Sequence, residues 1–444
     1  DVRWCGNEAG GTRSTEWNVI PYQANPDTMS NFADMTDKNL GSREQLYKAK
    51  YLHYQQAETN TSIREGWFYR DDTHQKVRST DDVFDIYERA VGGNSTFLLN
   101  IPPNRDGKFS PTDVAVLKET GQRIRETYGT DLFRQAKGPK EVLDQNADTY
   151  VTADKDGAGI VISTPQPVTL NRLVIQEAIA ANGERVEKHA VDAWIDGGWK
   201  EIAHATNIGY KRILRFPDVT TDKIRVRILE SRLTPAICTI SAHHYKARPP
   251  RLSAQRSMDG LVTIEPMAQE FGWKAHGENI AENLNAGFKI YYTTDGTEPS
   301  AGSTEYKAPF LMGNSELKAV AILNGEKGAI LQERFGLVKK GWKVTGKTSQ
   351  SLAIDLGSQQ TVSGFAFTPQ KQGGKGTVAG IIRISNDGKN WKEVERFEFG
   401  NLINDPSKRY HHFKQTVKAR YVQVEAAEIA AHTEAAALAE IDIF

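Results

Sequence analysis

The first 70 residues gather carboxylates and tryptophans outside any helical pattern: Trp4, Glu8, Glu16, Trp17, Glu58 and Trp67. Glycosidic-bond hydrolysis uses that mixture. A retaining site sets two carboxyl groups about 5–5.5 Å apart, one as nucleophile and the other as general acid and then base, while aromatic faces exclude water and take the C–H face of a sugar ring. Residue type alone does not make the case, because Glu is seldom buried and a loop carboxylate is as a rule solvated. Placement adds to it. Asp1 to Cys5 reads as a strand and Gly6-Asn7-Glu8-Ala9-Gly10-Gly11 as the loop leaving it, so Glu8 falls at the C-terminal end of a strand, where β/α barrels keep their reacting groups. Glu58 follows the run Tyr51-Leu52-His53-Tyr54-Gln55 and is expected in a similar place.

Other chemistries find little support. There is no P-loop, no G-x-G-x-x-G before a helix and no G-x-S-x-G elbow. His243-His244 and His411-His412 are adjacent pairs; strand neighbours point to opposite faces, so they chelate poorly. His53 and His74 read as surface or packed residues. Cys5 and Cys238 have no pairing or metal-binding spacing, and Cys5 is expected to behave as a small buried hydrophobe.

The elements that must position these residues change character along the chain. Up to about residue 137, strand-like runs alternate with amphipathic helices, as in a β/α architecture. Ser79 and Asp82 form a capping box before Val83, Ile86, Tyr87, Ala90 and Val91 at helical spacing, and Gly92-Gly93 ends that helix. Thr96 to Ile101 is apolar enough to predict a strand buried on both faces. Ser110-Pro111 opens a second helix with Val114, Leu117, Gly121, Ile124 and Tyr128 on one stripe. Beyond residue 138 the pattern turns to short alternating strands and DG or NG turns, which predicts antiparallel β domains. Residues 138–247, 248–337 and 338–444 form three such units. The first and last share a tryptophan after a turn (Asp196-Gly197-Gly198-Trp199, Asp387-Gly388-Lys389-Asn390-Trp391) and a later basic/apolar strand, so two copies of one sandwich type are expected. Trp199 and Trp391 are read as core residues or as glycan platforms.

Length and charge bound the rest. At 444 residues, with 56 basic and 56 acidic side chains, the chain holds several domains and has no basic field for nucleic acid. No apolar run approaches the ~18 residues of a membrane span.

Three segments carry a resemblance. Asp1-Val2-Arg3-Trp4-Cys5-Gly6-Asn7-Glu8-Ala9-Gly10, Ala57-Glu58-Thr59-Asn60-Thr61-Ser62-Ile63-Arg64-Glu65-Gly66-Trp67-Phe68-Tyr69 and Gly92-Gly93-Asn94-Ser95-Thr96-Phe97-Leu98-Leu99-Asn100-Ile101-Pro102-Pro103 resemble, in that order, the C-terminal half of the catalytic barrel of glycoside hydrolase family 29 α-L-fucosidases. The likeness is to the subgroup acting on α-1,3/1,4-linked fucose. It implies residues 1–137 as half of a (β/α)8-like barrel, then β-sandwich domains: galactose-binding-like at 138–247, an immunoglobulin-like chitobiase-type module at 248–337, and a discoidin-like carbohydrate-binding module at 338–444. It further implies a retaining exo-α-L-fucosidase acting on fucosylated oligosaccharides or glycoconjugates, with Glu8 as general acid/base. Trp4 is the apolar neighbour that would raise the Glu8 pKa. Glu58 is the second carboxylate, for catalysis or for holding substrate hydroxyls, and Trp67 resembles the aromatic against the fucose methyl.

The nucleophilic aspartate that the family implies is not found. The pairs Asp106-Gly107, Asp156-Gly157, Asp196-Gly197, Asp259-Gly260, Asp295-Gly296 and Asp387-Gly388 all read as turns. A barrel of about 250 residues is expected to be completed by an N-terminal segment upstream of Asp1. No cofactor is expected; a structural calcium is compatible with a discoidin-like fold, although the last unit has no concentrated Asp/Asn loop. The substrate class implies a secreted or periplasmic protein. The rival reading is a non-catalytic carbohydrate-binding or adhesin-like protein built on the discoidin-like units.

Overall fold

The computed structural model describes residues 2–23, 33–70, 75–152, 159–266, 287–369, 376–399, 402, 408–430 and 440–444. Within them the chain is mostly β-strand with few helices, and it divides into two compact units. One holds residues 2–63 and 77–247; the other holds 64–70, 75–76, 248–266 and the described residues from 287 onward. His74 and Asp156-Gly157 lie outside the described residues.

In the first unit the order is β1 (Val2–Trp4), β2 (Val19–Tyr22), α1 (Arg43–Lys48), β3 (Tyr51–Tyr54), β4 (Gln56–Ser62), α2 (Thr80–Val91), β5 (Ser95–Asn100), α3 (Pro111–Tyr128), β6 (Val151–Thr152), β7 (Ile160–Glu177), α4 (Ile179–Asn182), β8 (Val186–Ile195), β9 (Gly198–Ala205), β10 (Arg212–Ser231) and β11 (Ala236–His243). Strands β1, β4 and β5 form a parallel sheet with β4 in the middle, and β2 pairs antiparallel with β3.

The helices start and stop where local chemistry dictates. Ser79 caps α2 by accepting the Asp82 N–H at 3.1 Å, and Gly92 ends it. Pro111 occupies the first turn of α3 and Gly129 follows its last. The α3 stripe differs from expectation: Asp113, Thr120, Arg123 and Thr127 are buried while Val114, Leu117, Ile124 and Tyr128 are half-buried. Polar contacts explain the turn of the helix, since Arg123 pairs with Asp81 and the Tyr128 hydroxyl donates to Glu88 at 2.6 Å. Strand β5 is not buried on both faces. Thr96 is exposed and Leu98 is 42% exposed, because one face of the parallel sheet has no layer over it among the described residues.

The rest of this unit is one antiparallel sheet, ordered β6-β11-β7-β10-β8-β9, over an aliphatic core that includes Ile162, Leu173, Val191, Leu214, Val226 and Ile240. The runs near 160 and 173 are parts of a single long strand, β7, and those near 212 and 224 are parts of β10. Two register breaks, at Arg215/Val219 and Thr221/Lys223, let the pair bend.

This sheet is clasped to the preceding segment by Asn207 to Arg212. The Asn207 amide donates to the Glu16 carbonyl at 2.6 Å and the Tyr210 N–H to Asn94 Oδ1 at 2.7 Å, while the Gly209 N–H ties the connection back to its own sheet at Glu177 Oε2 of β7, 2.8 Å away. Gly209 has φ +62°, and a Cβ there would sit 2.2 Å from Asn94 Nδ2, so the clasp requires glycine.

The second unit continues with β12 (Leu252–Arg256), β13 (Leu261–Pro266), β14 (Lys289–Thr293), β15 (Thr304–Glu305), β16 (Phe310–Leu311), β17 (Ser315–Leu323), β18 (Glu326–Lys327) and β19 (Leu331–Phe335), in two small sheets around Leu252, Val262, Leu317 and Phe335. Its last part is β20 (Lys343–Lys347), β21 (Ser351–Phe367), β22 (Gly376–Ser385), β23 (Lys392–Glu398), β24 (Arg409–Ala430) and β25 (Ile441–Ile443), ordered β20-β21-β24-β22-β23 with β25 on β21. The five described Asp-Gly pairs are turns or bends with glycine at positive φ. Trp199 and Trp391 are half-buried and belong to neither aliphatic core. Trp199 instead meets Trp194 edge-on at 5.3 Å under the Arg225 guanidinium.

Candidate active site

The G-N-E element folds through its own side chains. Gly6 has φ +85°, and a Cβ there would meet the Met35 carbonyl oxygen at 2.5 Å. Asn7 then templates the loop: its Oδ1 accepts the N–H groups of Ala9 and Gly11, each at 3.1 Å, and its Nδ2 donates to the Gly11 carbonyl at 3.0 Å. The loop is fastened to the strand beside it by Cys5 N–H to Glu58 O at 3.0 Å and Gly10 N–H to Asn60 O at 3.1 Å. Glu8 stands at the apex, exposed.

Register places the other candidates. Trp4 pairs with Glu58 and Glu58 with Thr96 across β1, β4 and β5, so these three side chains share one face of the sheet. The same face carries Val2, Gln56, Asn60, Leu98 and Asn100, with Val2 52% and Trp4 41% exposed. Glu58 is half-buried within β4 rather than in a loop after a strand. The reason is that Tyr51–Tyr54 pairs away with β2, and the chain begins a new strand at Gln56. Trp4 does not enclose Glu8: its indole N–H donates to the Asn7 carbonyl at 2.9 Å, and both residues are exposed.

The opposite face is polar and closed. Glu16 is fully buried, held by Arg3 and by Arg13 at 2.9 Å, with the Cys5 thiol at 3.6 Å. Burial, reinforced by Glu16, pushes the Cys5 thiol up to about 12, so Cys5 is an inert buried group. Glu16 and Trp17, part of the initial cluster, therefore support the loop from behind; Trp17 is covered by the Arg232 guanidinium at 3.6 Å. Sequence reasoning missed Asn7, Arg3 and Arg13 as supports. The Asn beside Glu8 was the one readable signal, because Asn is the residue that templates a turn.

Trp67 belongs to the second unit. It is half-buried in a loop tied by Gln75, whose Nε2 donates to the carbonyls of Glu65 and Phe68 at 2.9 and 2.8 Å. A cleft of about 770 Å³ in the first unit is lined by Trp17, Arg43, Glu187 and Arg232 among others, and not by Glu8 or Glu58. Among the described residues, no group of three His, Cys, Asp or Glu side chains could hold a metal ion. None of the described helices is long and apolar enough to cross a membrane.

Residues 13–128 match the family model Alpha-L-fucosidase, residues 280–335 that of Fn3 associated, and residues 313–441 that of the F5/8 type C domain. Glu8 precedes the first match. Alpha-L-fucosidase 1 of Arabidopsis thaliana is 29% identical over 260 residues, 53% of this chain and 48% of that protein. The chain spans about half the length of the curated relatives it matches. A Bacteroides ovatus crystal structure assigned as an α-L-fucosidase is 28% identical with a TM-score of 0.49, over 100% of this chain and 62% of that one. A Ruminococcus gnavus GH29 fucosidase solved in complex with fucose is 24% identical, covering 55% of this chain and 50% of that one, with a TM-score of 0.47. Over residues 13–128 the chain is thus similar to the α-L-fucosidases, and over residues 313–441 to F5/8 type C domains.

Proposed function

We propose that this chain serves a retaining exo-α-L-fucosidase that releases α-1,3/1,4-linked L-fucose from branched glycans outside the cytoplasm, in a secreted or periplasmic setting. Residues 1–137 are read as the C-terminal half of its (β/α)8-like barrel, 138–247 as a galactose-binding-like sandwich, 248–337 as an immunoglobulin-like module and 338–444 as a discoidin-like module. Glu8 is the general acid/base. The observation that carries this role is the loop around it: Asn7 and two strand hydrogen bonds fix the backbone while leaving the carboxyl exposed at the C-terminal end of β1, as a proton donor to a glycosidic oxygen requires.

In the first half of the double displacement an aspartate attacks C1 of fucose while Glu8 protonates the departing oxygen. In the second, Glu8 removes a proton from water as the fucosyl ester is hydrolysed. The aspartate is not on β1, β4 or β5, whose sequences contain none. Parallel sheets are ordinarily covered on both faces, and among the described residues Val2, Trp4 and Leu98 on one face of this sheet are exposed. Further strands closing that face are the natural source of the nucleophile. Covering the face would also bring Trp4 and Glu58 onto the sugar, Glu58 as a hydrogen-bonding partner of its hydroxyls.

The test is Glu8→Gln in the full-length protein, assayed on an aryl fucoside and on a Lewis-type trisaccharide. Loss of the acid should cost about 10²–10⁴-fold on the trisaccharide and far less on the aryl substrate, whose leaving group needs little protonation. Equal activity of variant and parent on both substrates removes Glu8 from the mechanism. The F5/8 type C match at residues 313–441 supports a second reading, a non-catalytic carbohydrate-binding or adhesin-like protein using its discoidin-like units; binding of fucosylated glycans with no fucose release by the full-length parent would favour it.

A further inference from the structure

Where β24 begins, alternate side chains reach in two directions. Lys408 and Tyr410 hold Glu333 of β19, the lysine at 2.7 Å and the hydroxyl at 2.5 Å, and Lys408 also pairs with Asp442 at 2.9 Å. Arg409 lies between them, and strand alternation turns it to the opposite face. There it forms an ion pair with Glu65, both residues buried. Glu65 opens the loop that carries Trp67. Its other carboxylate oxygen accepts the Lys76 N–H at 3.2 Å, its own N–H donates to the Lys76 carbonyl at 2.9 Å, and Arg70 lies 3.4 Å away. The fucosidase match contains Glu65 and the F5/8 type C match contains Arg409, yet both residues fall in one compact unit.

We infer that Arg409 is a positioning residue through which the terminal F5/8 type C module sets the loop bearing Trp67, and with it the binding of the fucosyl substrate. The inference rests on the reading of Trp67 as a substrate contact. A buried carboxylate keeps its charge where a matching cation is built against it. With Arg409 present, Glu65 can gather both ends of the 65–76 segment at once. Without it, Glu65 loses its buried ion pair and is drawn toward Arg70, 3.4 Å away, and that movement shifts the backbone one residue before Gly66. Gly66 has φ +97° and nothing within 4 Å of a Cβ position, so packing at Gly66 does not oppose that shift. The module thereby acts on the substrate loop directly, beyond any glycan it binds itself.

The test uses the full-length protein with Arg409→Gln, Arg409→Lys and Glu65→Gln, read by hydrogen exchange of residues 64–70 and by steady-state kinetics on an aryl fucoside. Arg409→Gln should speed exchange of those amides about tenfold or more and raise KM about tenfold with kcat within roughly twofold. Glu65→Gln should do the same, and the double variant should add little to either. Arg409→Lys keeps the buried cation, so it should recover part of the KM, and it serves where the glutamine variant does not fold. Exchange in β22 and β23 reports whether the module is intact. Unchanged exchange at 64–70 and unchanged KM in a variant with an intact module overturn the proposal. A parent protein with no fucosidase activity sinks the reading of function instead, and the exchange measurement still decides whether Arg409 sets the loop.

Discussion

Replacing Glu88 by Gln should be among the most damaging single changes in the first unit, although residue 88 touches no proposed substrate. Glu88 lies on α2 with its carboxylate buried. One oxygen accepts Arg172 Nε at 2.6 Å and the Tyr128 hydroxyl at 2.6 Å; the other accepts Arg172 Nη2 at 3.1 Å and lies 3.4 Å from Arg215. Arg172 comes from β7 and is as buried as its partner. The amide would keep the shape and lose the charge, leaving a guanidinium in the interior without its bidentate partner. Breaking a buried pair in this way costs about 3–5 kcal/mol. At about 2–4 °C per kcal/mol for a unit of this size, the melting temperature should fall by roughly 6–20 °C. Arg215 retains Asp85 at 2.7 Å, which places the damage on Arg172.

The assay is scanning calorimetry of Glu88→Gln, Arg172→Met and the double variant. Removing both partners of a buried pair is milder than removing one, so the double variant should melt well above the sum of the single losses. The acid limb carries a second signature. Burial raises the Asp85 and Glu88 carboxyls, but their arginines outweigh it; Asp85 ends at about 2 and Glu88 below its ordinary 4.5. Depressed carboxyls stabilise above their unfolded values, and that stability is lost as pH falls through the folded ones. The parent should therefore lose more stability than the variant between pH 4.5 and 2. A single variant melting within about 2 °C of the parent, or strict additivity, refutes the reasoning.

Two further outcomes concern the clasp at 207–212. Burial raises the Glu177 carboxyl to about 7, against three backbone N–H donors from Arg185, Val186 and Gly209, with Glu184 adding to the rise. A raised carboxyl contributes stability that is whole below pH 4.5 and lost as pH climbs through 7; melting should decline between pH 5 and 8, and Glu177→Gln should flatten that decline, with an unchanged slope counting against it. Gly209→Ala, at φ +62° with Asn94 in the way, should cost roughly 2–4 kcal/mol in urea unfolding, and an unshifted midpoint would show that the clasp tolerates a side chain.

What the sequence announced, and what it hid, follows the range of the interaction. Helix α2 is legible because Ser79 and Gly92 act within one turn of its ends, and α3 because Pro111 and Gly129 do the same. The Glu8 loop is legible because glycines and Asn7 act on their own backbone. Glu58 was misplaced because Tyr51–Tyr54 and Gln56–Ser62 are two strands separated only by Gln55, and hydropathy carries no mark of a strand changing partners. Burial of the 96–101 run on both faces was a fair expectation for an apolar parallel strand, but it depends on a layer that its own residues do not specify. The charged interior was hidden entirely: Glu88 and Arg172 stand 84 positions apart, and Arg409 and Glu65 lie in different family matches. Nothing local distinguishes such residues from solvated ones.

One strand order recurs in the two units, and the connection entering its fourth strand carries long-range contacts in each. In the first unit the strands run β11-β7-β10-β8-β9, and in the second β25-β21-β24-β22-β23. In both, the first long strand pairs with the fourth, the fourth with the second, the second forms a hairpin with the third, and the last returns to the first. Both long pairs also break register twice, at Arg215/Val219 and Thr221/Lys223 and at Asp355/Gln360 and Val362/Gly364. A shared order with a shared bend is hard to reach independently, because each bulge must offset a pleat that would otherwise turn apolar residues outward. The expectation was of one sandwich type used twice; what the two units share is the strand order. With the scaffold constant, what differs is how each copy is joined to other segments. The first uses the connection entering its fourth strand, Asn207 to Arg212, whose backbone and amides take up Glu16 and Asn94. The second uses the entry to its own fourth strand, Lys408 to Tyr410, whose side chains take up Glu65 and Glu333. The same topological position therefore serves as the attachment point in both copies, once through backbone and amides and once through charge. Salt should discriminate the two kinds of joint only weakly, since buried pairs such as Arg409 and Glu65 are poorly screened, whereas a single buried substitution at either entry should loosen the segment it holds.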